Sequence, residues 1–244
     1  MNNLREVFQK YAAVVFFDTE TTGLDAKACR IIELAAIRIE QNQHGTLSVT
    51  DNTGVLIKLP EGQRLPEKIT GLTGITGSLL ESEGITEANA ATRFTDMLRG
   101  GPVLLAAHNA QFDLLFVREM LCRQNAAALD ILESCDYLDT LTVYKDRRDY
   151  PHKLADAIAA YHLEDKARNT HRAVDDVVAL FEVCRAMDDE RADLLEYVNI
   201  FGYNPKYGVS GYRIGGVSYW PQRFNKHMQP PGDTLPALIK KRRE

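Results

Sequence analysis

The chain is poor in cysteine and in long apolar runs, and each shortage excludes something. Its 244 residues include four cysteines, Cys29, Cys122, Cys135 and Cys184. None are spaced as a zinc knuckle or a C-x-x-C redox pair. Scattered cysteines fit a reducing compartment and read as small core residues. The longest strictly apolar run, Ala12 to Phe17, is far too short to span a bilayer, which takes about 20 apolar residues. The opening MNNLREVFQK lacks the basic start and apolar stretch of a secretory signal. A cytoplasmic protein without membrane attachment is therefore expected. No internal repeat is visible, and tryptophan occurs once, at Trp220.

A globally basic nucleic-acid binder is excluded by the net charge of −5. That charge is uneven. From Phe201 to Glu244 eight Lys/Arg face two Asp/Glu, giving +6 and leaving −11 on the first 200 residues. A basic tail on an acidic body suits a polyanionic partner, and equally a solvated tail. The apolar fraction of 45% and charged fraction of 26% are those of an ordinary globular chain. The length suits one large domain, alone or with an appendage.

Residues 13–18 read as a buried strand, since Val14, Val15, Phe16 and Phe17 are β-formers in one run. Further strands are expected at Ile31–Glu40, Gly54–Leu59, Val103–Ala107 and, more weakly, Tyr137-Leu138. The 60–85 connection is long enough to contain short helices. Helices are expected at Thr86–Leu98 with Thr86 as cap, at Phe112–Gln124, near 139–146 and 153–161, and from about His171 to Met187 with Thr170 as cap. Strands first, then alternating helices and strands, predict a mixed α/β sheet with helices on its faces.

Three acidic clusters stand at the ends of these elements. In "FFDTETTG" Asp18 and Glu20 are two apart, so on a strand they project together from one face. Carboxylates that close repel unless a cation lies between them, and a hard divalent ion takes oxygen ligands. Asp113 follows the strand "PVLLAA" by about one helical turn; a helix N-terminus also favours an acid there. In "HRAVDD" both Asp175 and Asp176 lie on roughly the same side of a helix as His171, a pattern that a solvated helix face also shows. Four carboxylates around one pocket can hold two Mg²⁺ or Mn²⁺ ions, and a neutral histidine nearby can take a proton from water.

Together, "FFDTETTGLD", "LLAAHNAQFDLLFV" and "HRAVDD" resemble the three motifs of the DEDDh 3′–5′ exonucleases, which include epsilon-like proofreading subunits and ribonuclease T-like enzymes. The resemblance covers residues 12–187. It implies a ribonuclease H-like α/β fold built on a mixed five-stranded sheet with helices on both faces. Metal ligands would be Asp18, Glu20, Asp113 and Asp176, the H-x(4)-D spacing choosing Asp176 over Asp175, with His171 as general base. Two divalent ions, Mg or Mn, are the implied cofactors. The implied reaction is hydrolysis from a 3′ end to nucleoside 5′-monophosphates, on DNA or alternatively on RNA or short oligonucleotides. A retired, non-catalytic nucleic-acid-binding module is the contrasting reading. Thr21 and Thr22 would approach the terminal nucleotide, Leu24 would wedge against its base, and Ile75, Asn109 and Phe112 would line the same pocket, with core packing an equally good explanation for Phe112 and Ile75. The nucleic-acid partner would be a single-stranded 3′ end; a homodimer and a polymerase-associated complex are both open. His108 is expected to hydrogen-bond rather than ligate, and Asp139 to be structural.

Residues 188–244 fall outside the resemblance and are expected to form a C-terminal extension to an exonuclease domain of residues 1–187. The extension interleaves Tyr203, Tyr207, Tyr212, Tyr219, Trp220 and Phe224 with basic residues. Bases could stack on those rings, or the segment could be an arm that packs on the domain.

Overall fold

The structure, a computed structural model, describes residues 3–166, 173–222 and 234–243. Along the chain run α1 (Arg5–Lys10), β1 (Ala13–Thr21), β2 (Ile31–Gln41), β3 (Leu47–Leu56), α2 (Glu67–Thr73), α3 (Gly77–Glu83), α4 (Glu87–Asp96) and β4 (Val103–Ala107). They are followed by α5 (Ala110–Gln124), α6 (Leu129–Glu133), β5 (Asp136–Asp139), α7 (Thr140–Arg147), α8 (Leu154–Ala160) and α9 (Ala173–Glu190). Beyond these lie β6 (Ile200–Tyr203), β7 (Ser218–Pro221) and α10 (Leu235–Arg243).

The first five strands form one mixed sheet in the order β3-β2-β1-β4-β5. β1 to β3 pair antiparallel, as their short connections require. β4 and β5 join parallel to β1 through helical crossovers. Both faces of β1 are covered, which is why its sequence is a continuous apolar run rather than an alternating one. Val15 and Phe17 face α4 and α5, with Phe17 packed on Phe94 at 5.4 Å between ring centroids. Val14 and Phe16 face α9, with Phe16 on Phe181 at 5.4 Å. Each such side chain, removed from water, contributes about 1.5–3 kcal/mol.

Most expected elements are present, with informative shifts. The third strand runs Leu47–Leu56 rather than Gly54–Leu59. Most of its residues are solvent-exposed as an edge strand, so polarity hid it; the register is carried by pairing with β2 after a turn at Gly45, whose φ is +79°. Ile57, in turn, bridges to Ile85 instead of extending the strand. The 60–85 connection contains α2 and α3, and Thr86 caps α4 by accepting from Asn89 N–H at 3.2 Å. α9 runs to Glu190, so the expected boundary at 187 falls inside a helix. Thr170 lies outside the described residues.

The extension packs on the β5–α7 edge. Asn199 accepts from Tyr137 N–H at 2.8 Å and donates to Asp136 at 2.6 Å. Gln222 donates to Thr142 O and Asp146, both at 2.8 Å, and Asp146 also accepts from Leu235 N–H. Among the described residues, no helix is long and apolar enough to cross a membrane.

Asp139, at the end of β5, holds the start of α5. Its Oδ1 accepts from Asn109 N–H at 2.9 Å and Ala110 N–H at 3.1 Å, and its Oδ2 from the Thr142 hydroxyl at 2.6 Å. Asn109 adopts φ +74°, the left-handed turn that aims these amides. Asp139→Ala would leave buried donors unpaired and is expected to cost about 3 kcal/mol. Urea denaturation checks this, and a loss under about 1 kcal/mol would speak against the capping role.

Candidate active site

The site begins where two parallel strands stop at different heights. β4 pairs with β1 only as far as Phe16↔Ala106, whereas β1 continues to Thr21 against β2 alone. The carboxyl ends of strands in open α/β sheets are where ligands bind. Here the β4 side of Thr19 has no ladder partner. Asp113, in the first turn of α5, takes that place: its Oδ1 accepts from Thr19 N–H at 3.0 Å and from the Thr19 hydroxyl at 2.7 Å.

Asp18 and Glu20, flanking Thr19, point to the opposite face, toward α9. There Asp176 meets them: one carboxylate oxygen from each of Asp18, Glu20 and Asp176 lies within 4.8 Å of the others. Asp176 is buried and Asp175 exposed, so the helix itself makes the choice between them. Asp113 stands across the strand from this trio but near enough to act on it. Burial first, then the charges of Asp113, Asp176, Glu20 and Glu33, hold the Asp18 carboxyl well above the usual range. Burial pushes Asp113 up to about 7, against the lowering effect of its Thr19 hydrogen bonds.

Two further residues build the site and were not singled out by motif spacing. Thr19 is the hidden residue of D-x-E, and strand alternation turns it toward Asp113. Glu33, an acid inside the apolar strand "IIELAAI", is 1% exposed and lies opposite Glu20 in register. Its Oε2 accepts from Ala173 N–H at 3.1 Å, fixing the N-terminal end of α9 and hence Asp176. A buried acid in an apolar strand was the available signal for it. Close approach of α9 is further allowed by Gly54 on β3, where a Cβ would come 2.5 Å from Val174 Cγ2.

The other expected residues are distributed differently. His171 lies outside the described residues. The Thr21 hydroxyl donates to Gly23 O at 2.6 Å, and the Thr22 hydroxyl accepts from Arg30 N–H at 3.0 Å, so both shape the turn after β1. Leu24 is 88% exposed at the rim of a cavity of about 460 Å³, which Phe112 also lines. Asn109 is exposed at the start of α5. Ile75 is fully buried in a small cluster with Ile32, Leu56 and Leu80. His108 bonds Thr140 and the His152 carbonyl, both at 3.0 Å, and is lowered from its usual range chiefly by burial.

Comparison with known proteins bears on this arrangement. The sequence model of the exonuclease (RNase_T) family matches residues 15–184. The PolC-type DNA polymerase III of Caldanaerobacter subterraneus subsp. tengcongensis is 33% identical over 173 residues, covering 69% of this chain and 11% of that protein. Ribonuclease T of Haemophilus influenzae is 32% identical over 123 residues, covering 48% of this chain and 53% of that one. The chain thus spans little more than a tenth of these polymerase relatives' length and about half of ribonuclease T's. Escherichia coli exonuclease I, solved with a dA16 oligonucleotide, has the same fold at TM-score 0.65 and 18% identity, covering 76% of this chain and 42% of that one. With the family's model matched over residues 15–184, well over half of the chain, the chain belongs to the exonuclease family, in the DEDDh 3′–5′ branch of the ribonuclease H-like superfamily.

Proposed function

We propose that this chain is a divalent-metal-dependent 3′–5′ exonuclease that releases nucleoside 5′-monophosphates from single-stranded 3′ ends, with DNA preferred. The observation that carries the reading is the trio of carboxylate oxygens within 4.8 Å, contributed by β1 and α9, with Asp113 behind it. The donor set is all carboxylate oxygen, which suits Mg²⁺ or Mn²⁺ over softer ions. Burial raises Asp18 first and the neighbouring carboxylates add to it, and a bound cation would relieve the repulsion among those charges. Asp18, Glu20, Asp113 and Asp176 would hold two such ions. When bound, the ions would stabilise both the attacking and the leaving oxygen of a phosphodiester displacement.

The chain's own residues do the rest. β1 presents Asp18 and Glu20 from a rigid, doubly covered strand. Glu33 anchors the start of α9 through Ala173, so that Asp176 keeps its place. His171, by the family's H-x(4)-D spacing, takes the proton of the attacking water. The turn shaped by Thr21 and Thr22 presents Leu24 against the terminal base. A retired binding module would have no use for carboxylates that repel phosphate in the absence of metal.

The PolC-type relatives are named as DNA polymerases, which supports DNA and association with a polymerase. Ribonuclease T, at 32% identity, supports RNA as the second reading. Paired assays on single-stranded DNA, duplex DNA and RNA of one sequence separate the two. Faster turnover of the DNA strand is expected, and faster turnover of RNA would reverse the assignment.

A 3′-labelled oligonucleotide with Mg²⁺ or Mn²⁺ tests the roles. Asp18→Asn and His171→Ala are each expected to lower turnover by at least about 10²-fold. Equal activity in wild type and both variants would sink the site assignment, and chelation with EDTA is expected to abolish turnover.

Stability gives an independent readout. An acid raised in the folded state is held protonated there after its unfolded counterpart has ionised. Its contribution to stability therefore falls as pH rises from about 4, the ordinary Asp value, toward 7. In EDTA, Asp113→Asn keeps the acceptor for Thr19 but removes this charge, so its melting temperature is expected to fall less than that of wild type over that window. Adding Mg²⁺ or Mn²⁺ at pH 7 is expected to raise the wild-type value more than the variant's. Parallel pH profiles in EDTA would contradict the electrostatic account.

A further inference from the structure

The family match ends at residue 184, yet a segment beyond it forms one wall of the cavity beside the acids. Ser210, Gly211 and Tyr212 are laid along α5. Gln111, two residues before Asp113, donates to Ser210 O and Tyr212 O, both at 2.8 Å, and accepts from the Tyr219 hydroxyl at 2.6 Å. The Tyr212 hydroxyl donates to Glu119 at 2.9 Å. Gly211 has φ +69°, and a Cβ there would come 2.5 Å from Leu115 Cδ1. The positive φ and the close approach to Leu115 both favour glycine here. This wall is built against the domain by several independent contacts.

Leu24 and Phe112 line the same cleft, which opens to solvent, and its volume of about 460 Å³ lies within the roughly 300–1,000 Å³ range of small-ligand sites. Exposed Lys27 reaches over the Tyr212 ring, its ammonium 5.6 Å from the ring centroid. Leu24 lies in the turn that follows β1, and Phe112 on α5 immediately precedes Asp113, so the cavity is lined by α5 and by the turn after β1. α5 leads away from Asp113 toward the Tyr212 wall. With Leu24 set against the terminal base, as under the proposed function, the next base of the strand is the one that would meet a cavity which Leu24 also lines. The surplus of positive charge after residue 200 complements such a strand.

We propose that the extension completes a second base subsite: the penultimate base of the strand enters between Leu24 and Phe112 on one side and Tyr212 on the other, while Lys27 meets a neighbouring phosphate. The proposal rests on the exonuclease reading and adds to it a role for a segment outside the family's matched region. Contacts with ring faces accept any base, so the subsite would grip without selecting sequence.

The test uses the full chain and oligonucleotides carrying 2-aminopurine at the last or the second-last position, bound in Ca²⁺ without turnover. Quenching at the second-last position is expected for wild type and Tyr212→Phe, and its loss for Tyr212→Ala. In Mg²⁺, Tyr212→Ala is expected to raise the ratio of the KM for the oligonucleotide to the KM for the p-nitrophenyl ester of thymidine 5′-monophosphate, which has one base, by about tenfold. Lys27→Ala, an exposed change that spares the fold, is expected to raise the same ratio several-fold and to flatten its salt dependence. Wild type that cuts both substrates, with neither the quenching nor the ratio changed in the variants, overturns the subsite and leaves the exonuclease reading standing. Wild type that cuts neither overturns the exonuclease reading; the 2-aminopurine signal then still decides the subsite, and absence of quenching overturns it.

Discussion

Asp113 receiving the amide and hydroxyl of Thr19 is the interaction on which the rest of the site depends. It exists because β4 is short and β1 is long. An amide that would otherwise join a strand ladder is left at the sheet's edge, inside the protein, where an unpaired donor is costly. The first turn of α5 supplies the acceptor. That choice brings a carboxylate to the back of a strand whose front already carries two. The α5 terminus is in turn held by Asp139 from the end of β5. Three parallel strand ends are thereby tied into one frame before any ligand is considered.

The cost of this frame is electrostatic. Half-buried Asp18 feels the charges of Asp113, Asp176, Glu20 and Glu33. A protein built for stability alone would not gather these groups, because burial and like charge both penalise ionisation. The strain is local and has a natural remedy in a hard divalent ion. Concentrated acids at the edge of an apolar core are thus a sign of purpose in the physical sense: the arrangement is favourable only in company.

The extension changes how the molecule is divided. Its basic and aromatic residues suggested either a binding tail or a packed arm, and the described residues are packed on the domain. Gln111, Gln222 and Asn199 tie it to the domain through backbone and side-chain hydrogen bonds. The same ties place Tyr212 in the lining of a cavity shared with Leu24 and Phe112. Packing and contact with a strand are therefore compatible roles for one segment.

Much of the fold was legible without coordinates. The apolar run before Asp18 and the cap at Thr86 are local signals, and local signals survive in a linear reading. The edge strand β3 was shifted because its exposed polar residues carry no burial pattern, and for Ile75 the sequence left pocket and packing open, of which the structure shows the packing. The sequence by itself determined the chemistry on offer, an ordered set of acids with a histidine five residues before the last. It could not determine Thr19 and Glu33 as partners of that set, nor Tyr212 as a neighbour of Leu24. Those relations join residues 94, 140 and about 190 positions apart. Only the pairing of strands, the height at which β4 stops and the docking of the extension on α5 bring them together.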